Sequence, residues 1–263
     1  MTAPAPQAST PTAEVRASEI DRRRRSLAGY LFMPVLLTVV LLIVVWWVSS
    51  TDLGFTAQRR LSMDSALTRG WRHIQLTIVS TAGVLAIAVP VGILLTRPFA
   101  RRITPSAIAV FNIGQGVPSI GLIALFALWW AIGFWPAVVA LIAYSALPVL
   151  RNTMVGLEQV DPSVIESARG MGMTRLAVLA RIELPLAIPV MMAGVRTALV
   201  INVGTATLAT FIGAGGLGEI INAGIVSGNE LITVVGSVLT AVLALLIDYL
   251  AGIAEDHLRP RGL

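Results

Sequence analysis

A chain of 263 residues in which 56% are hydrophobic and 13% charged, with a mean hydropathy of +0.83, has the composition of a polytopic membrane protein and not of a water-soluble domain. Its formal charge of +5 comes from arginines placed between apolar runs, a pattern that marks membrane topology and argues against a nucleic-acid face. The absence of cysteine excludes disulfides, thiolate metal sites and cysteine nucleophiles, and the absence of lysine excludes the phosphate-binding lysine of a P-loop, so any nucleotide that drives this chain is bound by a partner.

Residues 1–26 begin with a stretch rich in Ala, Pro, Thr and Ser without apolar periodicity, which predicts a disordered N-terminal tail. They end near Asp21-Arg22-Arg23-Arg24-Arg25, just before the apolar run 27–48. That run is too long for a signal-peptide core and lacks a small-residue cleavage site near Ser49, so it reads as a retained first span. Residues 27–72 comprise this span and an external linker, where 50–73 are expected to form a surface helix. Further spans are read at 74–95, 107–131, 137–150 or a little beyond, 186–212 and 231–250, each near the length of about 20 residues that crosses a bilayer core. Gly133-Phe134-Trp135-Pro136 reads as the turn of a tight hairpin between the third and fourth spans. The expected fold is all-α with about six transmembrane helices and a C-terminal tail at 253–263.

Counting arginines sets the orientation. With the N-terminus inside, Arg16, Arg22 to Arg25, Arg97, Arg101, Arg102, Arg151, Arg169, Arg175, Arg181, Arg259 and Arg261 are cytoplasmic, and Arg59, Arg60, Arg69 and Arg72 external. The bias places both termini, and the segment between the fourth and fifth spans, in the cytoplasm.

That segment is far longer than a helix–helix connection needs. Asp161-Pro162 predicts an N-cap followed by proline at the first helical position, and Gly170 and Gly172 supply a helix end. Thr174 is placed to cap a second short helix through Arg181, and Pro185 biases Leu184 away from helical geometry. Two helices at an angle, with Ala168, Met171 and Met173 near the corner, suit either a docking element for another protein or an interfacial amphipathic hairpin.

Glu166-x-Ala168, three residues, Gly172, nine residues, then Ile182-x-Leu184-Pro185 resembles the cytoplasmic EAA loop of permease subunits in binding-protein-dependent ABC importers, with Ser167 where that pattern usually has alanine. The resemblance implies the ABC type I importer permease fold, with a core at 73–252 and a coupling loop at 158–185. It implies that Glu166, Ser167, Ala168, Gly170, Gly172, Ile182, Leu184 and Pro185 form the contact with an ATP-binding cassette ATPase subunit. ATP is then bound by that partner, and this chain carries no cofactor and is no enzyme. The same resemblance implies a second permease copy or paralogue, an extracytoplasmic substrate-binding protein and a place in the bacterial plasma (inner) membrane. Gly116-Val-Pro118-Ser119, Leu147-Pro148-Val-Leu-Arg151-Asn152-Thr153, Asn202-Val-Gly204-Thr205-Ala-Thr207 and Phe211-Ile-Gly-Ala-Gly-Gly-Leu-Gly218 look like the quaternary-amine branch, whose members import glycine betaine, choline or carnitine. Ergothioneine, an amino acid or another small solute remains an alternative.

Polar residues in spans are costly unless they face other helices or water. Asn112, Gln115 and Ser119 recur at one helical face, beside Pro118, and Asn202, Thr205 and Thr207 lie on the fifth span. They read as the lining of a translocation path, or as polar glue between helices. Arg196 reads as a structural ion partner, and Asp248 as a solvated or paired end charge. Gly213 to Gly218 spell G-x-G-x-x-G but follow a span-length run with no preceding strand, which favours a compact external turn over a nucleotide site. His73 and His257 fall on opposite sides of the membrane, and no metal site is expected. An ion-coupled secondary transporter would need membrane-embedded carboxylates, which the spans almost lack.

Overall fold

In a computed structural model, residues 27–258 are described, and they form helices with no strand among them. The expected tail at 1–26 with its arginine cluster, and the end of the C-terminal tail at 259–263, lie outside the described residues. The helices are α1 (Leu27–Ser50), α2 (Phe55–Arg60), α3 (Met63–Leu95), α4 (Thr104–Gly116), α5 (Ser119–Trp129), α6 (Phe134–Glu158), α7 (Pro162–Gly170), α8 (Arg175–Val178), α9 (Leu184–Ala206), α10 (Gly218–Ser227) and α11 (Glu230–Leu258). Five helical stretches are long and apolar enough to cross a membrane, and α4 with α5 form a bent pair that brings the number to six.

The bundle is organised around α6, which packs against α3, α9, α4 and α5. Its central place follows from its composition, since residues such as Ala140, Leu141, Ala146, Val149 and Leu150 are all buried. Lipid tails are as apolar as leucine, so helices in a membrane are held by close packing of small residues more than by hydrophobic exclusion. The α6–α9 contact shows this: a Cβ added to Gly194 would lie 2.7 Å from Cβ of Asn152 and 2.8 Å from the Pro148 carbonyl oxygen. By contrast, among the residues of α1 whose side chains are described only Leu37 and Val44 are buried, and α1 packs on α11, leaving an apolar face suited to lipid.

Several boundaries differ from expectation for identifiable reasons. At about 1.5 Å per residue the 33 residues of α3 span roughly 50 Å, well beyond a core of about 30 Å. The Ser62 hydroxyl caps it by accepting from the Ser65 N–H at 3.3 Å, so the expected surface helix of 50–73 is two pieces, α2 and the projecting start of α3. Gly133, at φ +125°, ends the turn, and Phe134, Trp135 and Pro136 belong to the first turn of α6, where Pro136 lacks an N–H that would have no intrahelical partner anyway. The expected 137–150 span is therefore the middle of a longer helix.

The expected span 107–131 is two helices bent by 96°. Proline forces the residue before it out of the α region, and Val117 sits at φ −76°, ψ 138°. Pro118 then serves as N-cap of α5, its carbonyl accepting from the Leu122 N–H at 3.0 Å. Asn112 and Gln115 on α4 are thus not on a continuous helix face with Ser119.

Pro185 does not turn Leu184 out of the helix, since Leu184 has φ −63°, ψ −49°. A π-helical turn over Leu179–Glu183, closed by the Leu184 N–H to the Leu179 carbonyl, joins α8 to α9 without a break. Pro185 falls in the first turn of α9, where its missing N–H is tolerated.

Replacing Gly194 by valine should force α6 and α9 apart and lower stability by about 1–3 kcal/mol. A thermal scan of the purified protein in detergent is expected to show a lower Tm than for the parent, and an unchanged Tm would place the close approach elsewhere.

Candidate functional site

The element between the fourth and fifth spans begins at Asp161, whose carboxylate accepts from the Ser163 N–H at 2.8 Å and so caps α7. The backbone and side-chain donors of Ser163 hold the Asp161 carboxyl below its usual pKa, so the charged cap persists at neutral pH and is lost only as pH falls through that lowered value.

The far end of α7 closes in a Schellman motif. The Met173 N–H donates to the Ala168 carbonyl at 3.2 Å and the Gly172 N–H to the Arg169 carbonyl at 2.9 Å. Gly172 occupies the left-handed position of that motif at φ +86°, which gives a physical reason for glycine four residues after Ala168. The Thr174 hydroxyl then accepts from the Ala177 N–H at 3.3 Å and starts α8.

These caps set up two unlike faces. Glu166, Ser167, Gly170 and Gly172 are exposed, while Ala168 is buried at the inner side of the corner. Met171 and Leu176 are 77% and 74% exposed, an apolar pair projecting from an otherwise charged element that carries Arg169, Arg175 and Arg181. Ile182, Leu184 and Pro185 are half-buried where the element enters the bundle. Because α8, the π turn and α9 are continuous from Arg175 to Ala206, the second arm of the element is the end of a membrane span and not a separate helix.

Two residues at this junction carry no part in the motif. Glu183 is buried, and its carboxylate receives the Arg97 guanidinium at 2.6 Å. It fills the unspecified place in Ile182-x-Leu184-Pro185, and Arg97 counts in the sequence only as a topology charge. An acidic side chain held beside a span with an arginine after another span was the available signal.

The candidate path residues fall into two groups. At the α4–α5 break, Asn112 and Pro118 are exposed, Gln115 and Ser119 half-buried, and no α4 residue is buried within this chain. Arg151 of α6 donates to the Asn112 side-chain oxygen at 3.1 Å, which brings a fixed cation to the same face. Asn202 is fully buried, donating to the Thr81 hydroxyl at 3.0 Å, and its own side-chain oxygen has no partner. It sits between α9 and α3 and lines no open surface of this chain. Thr207 donates to the Gly204 carbonyl at 2.6 Å, and Thr205 is half-buried nearby.

Beyond the far end of α9, the glycine-rich stretch forms a compact turn against the projecting end of α3. Gly213, Gly215 and Gly216 all have positive φ. The Leu217 N–H donates to His73 Nδ1 at 3.2 Å, so Nε2 carries the proton that reaches the Val203 carbonyl at 2.9 Å. Arg72 donates to the Ala214 carbonyl at 3.1 Å with its guanidinium 4.3 Å from the Phe134 ring centre. His73 is therefore a satisfied core histidine. Arg196 makes a bidentate pair with Asp248, both bonds at 2.9 Å, and also reaches Glu255 at 3.3 Å, which gives it the structural role expected.

Comparison with known proteins agrees with this geometry. Residues 88–261 match the family described as "Binding-protein-dependent transport system inner membrane component". The choline transport system permease protein OpuBB of Bacillus subtilis (strain 168) is 40% identical over 197 residues, covering 75% of this chain and 90% of the relative. The osmoprotectant import permease protein OsmY of Salmonella typhimurium is 40% identical over 222 residues, covering 84% and 93%. Among solved structures, inward-facing conformations of the MetNI methionine ABC transporter align with a TM-score of 0.67 at 27% identity, over 76% of this chain and 100% of the other.

Gly172→Asn should retain more transport than Gly172→Val, because Asn adopts positive φ far more readily than a β-branched residue. Uptake measured in cells at matched membrane levels is expected to follow Gly, Asn, Val in falling order. Equal uptake by the Asn and Val variants would remove the corner's left-handed geometry from the account.

Proposed function

The chain belongs to the binding-protein-dependent transport system inner membrane component family, and on that footing we propose that it imports osmoprotectants such as glycine betaine, choline or carnitine across the bacterial plasma membrane. It is a multi-pass transport permease subunit of an ABC importer and not an enzyme. The substrate class is supported by relatives about 40% identical over most of their length that are named for choline and for osmoprotectants.

The coupling site in this proposal is the 158–185 element, with both termini on its side of the membrane. ATP-binding subunits dock on the face that carries Glu166, Ser167, Gly170 and Gly172, where the exposed Met171 and Leu176 supply apolar contact. The continuity of Arg175–Ala206 carries the reading, since a push on α8 is then a push on a membrane span. Closure of two ATPase subunits drives two such levers and biases the bundle between inward-open and outward-open states. The second lever belongs to another permease, a copy or a paralogue, and an external binding protein delivers the solute.

The translocation path in this proposal runs past the α4–α5 break. Non-helical backbone at membrane depth is tolerated only inside protein or beside water, and α4 buries no residue within this chain. The break leaves carbonyls at the end of α4 and N–H groups at the start of α5 without intrahelical partners. Those are the groups that the two ends of a zwitterion would meet, with Gln115 and Ser119 alongside. Asn112, paired with Arg151, faces the same space, and Thr205 at the end of α9 and Thr207 just beyond it flank it. Asn202 acts as interhelical glue in this conformation.

Radiolabelled choline and glycine betaine uptake tests the reading. Gln115→Leu is expected to lower uptake at least about tenfold, the scale of one lost polar contact of about 1.4 kcal/mol, while the ATPase still co-purifies. Unchanged uptake kinetics in both Gln115→Leu and Asn112→Leu would leave these residues as packing.

A further inference from the structure

We propose that the Arg97–Glu183 ion pair is a strut that makes the cytoplasmic end of α3 move with the α8–α9 lever, a role that rests on the coupling reading of the 158–185 element. Arg97 follows α3 almost immediately, with extended backbone at φ −80°, ψ 147° as the chain turns into Pro98–Ala100. Its Nε donates to the Ile93 carbonyl at 3.3 Å, which ties the guanidinium to the last turn of α3. The remaining two nitrogens reach the Glu183 carboxylate at 2.6 and 3.4 Å. Arginine's planar fork fits a carboxylate in this two-pronged way, and lysine's point charge does not.

The position of Glu183 is as specific as that of Arg97. It is the last residue of the π turn, and the Leu184 N–H reaches five residues back to Leu179. A π turn inserts one residue into a helix and so rotates everything beyond it relative to an α-helical register. The carboxylate is consequently turned into the bundle, with only 9% of its side chain exposed against 27% for Arg97. Among the described residues, this is the only salt bridge made by the coupling segment.

Stability alone is a poor reason to keep such a pair. Desolvating two charges offsets most of their attraction, and an apolar pair of the same volume would hold the helices as well. A pair with two directional bonds does something an apolar contact does not, which is to fix the relative orientation of two elements. Here those elements are the span that leads toward the external glycine turn and the lever that the ATPase moves. The Arg97–Glu183 pair transmits displacement between them at the cytoplasmic end, below the closest packing of α6 against both.

The test uses the whole importer in proteoliposomes with its binding protein and measures solute imported per ATP hydrolysed. Arg97→Glu and Glu183→Arg are each expected to keep the ATPase bound and hydrolysing while solute per ATP falls about tenfold, a coupling loss of the usual size. The double exchange, Arg97→Glu with Glu183→Arg, is expected to restore most of that ratio. Glu183→Gln, which keeps the shape and loses the charge, is expected to lower the ratio without loss of assembly and serves if the reversals misfold. An unchanged ratio in Glu183→Gln, or no recovery in a folded double exchange, overturns the strut. Gly172→Trp in the same assay keeps the two claims apart: normal transport there defeats the coupling reading itself, whereas uncoupling by Gly172→Trp beside fully coupled Arg97 and Glu183 variants defeats the strut alone.

Discussion

Inside hydrocarbon, a peptide N–H or C=O without a hydrogen-bond partner costs several kcal/mol, so a membrane helix is interrupted only where protein or water can meet the freed groups. This chain interrupts its spans in few places, and its functional features gather there. The break at Val117-Pro118 splits one span by 96° and opens unpaired backbone beside Gln115 and Ser119. The π turn at Leu179–Glu183 is the opposite device, because it changes register while the Leu184 N–H still bonds back to the Leu179 carbonyl, and a lever can pass through it. In the proposed function, one interruption makes a place for solute and the other carries movement into the membrane.

Charge follows the same economy of placement. The paired acids near the bundle meet arginine: Glu183 with Arg97, Asp248 and Glu255 with Arg196, and Glu219 with Arg69 at 2.8 Å. Each pair links elements far apart in sequence. Arginine suits such sites because it stays charged and bonds through a rigid fork. Within the bundle, small residues pack closely and threonine hydroxyls bond to their own helix, as at Thr77 and Thr240.

Much of this was legible in the residues. Six spans, the Asp161 cap, the Thr174 cap and the glycine end of α7 follow from apolar run length and capping chemistry, and Pro118 with its nearby glycines allows a bend or close packing. The size of that bend was not readable, because proline permits both a mild kink and a full break, and packing on α6 decides between them. Pro185 misled for a related reason. Its local preference against a helical Leu184 is real, but the helix runs through Leu184 directly after a π turn, and no composition signal announces a π turn. Asn202 could not be assigned to path or packing from its type, since both uses need a polar side chain in a span. Glu183 stood in the open as an unspecified motif position, and its burial depends on a register that only three dimensions reveal.

The central claim is that α8, the π turn and α9 move as one rigid lever. The chain has no cysteine, so paired spin labels can be placed at will and their separation read by double electron–electron resonance in the assembled importer. Labels at Leu176 and Val200, both exposed and on the same lever, are expected to keep one distance with and without trapped ATP. Labels at Leu176 and Val110 of α4 are expected to change theirs. A Leu176 to Val200 distance that shifts on ATP binding would show a hinge at the π turn and contradict the lever.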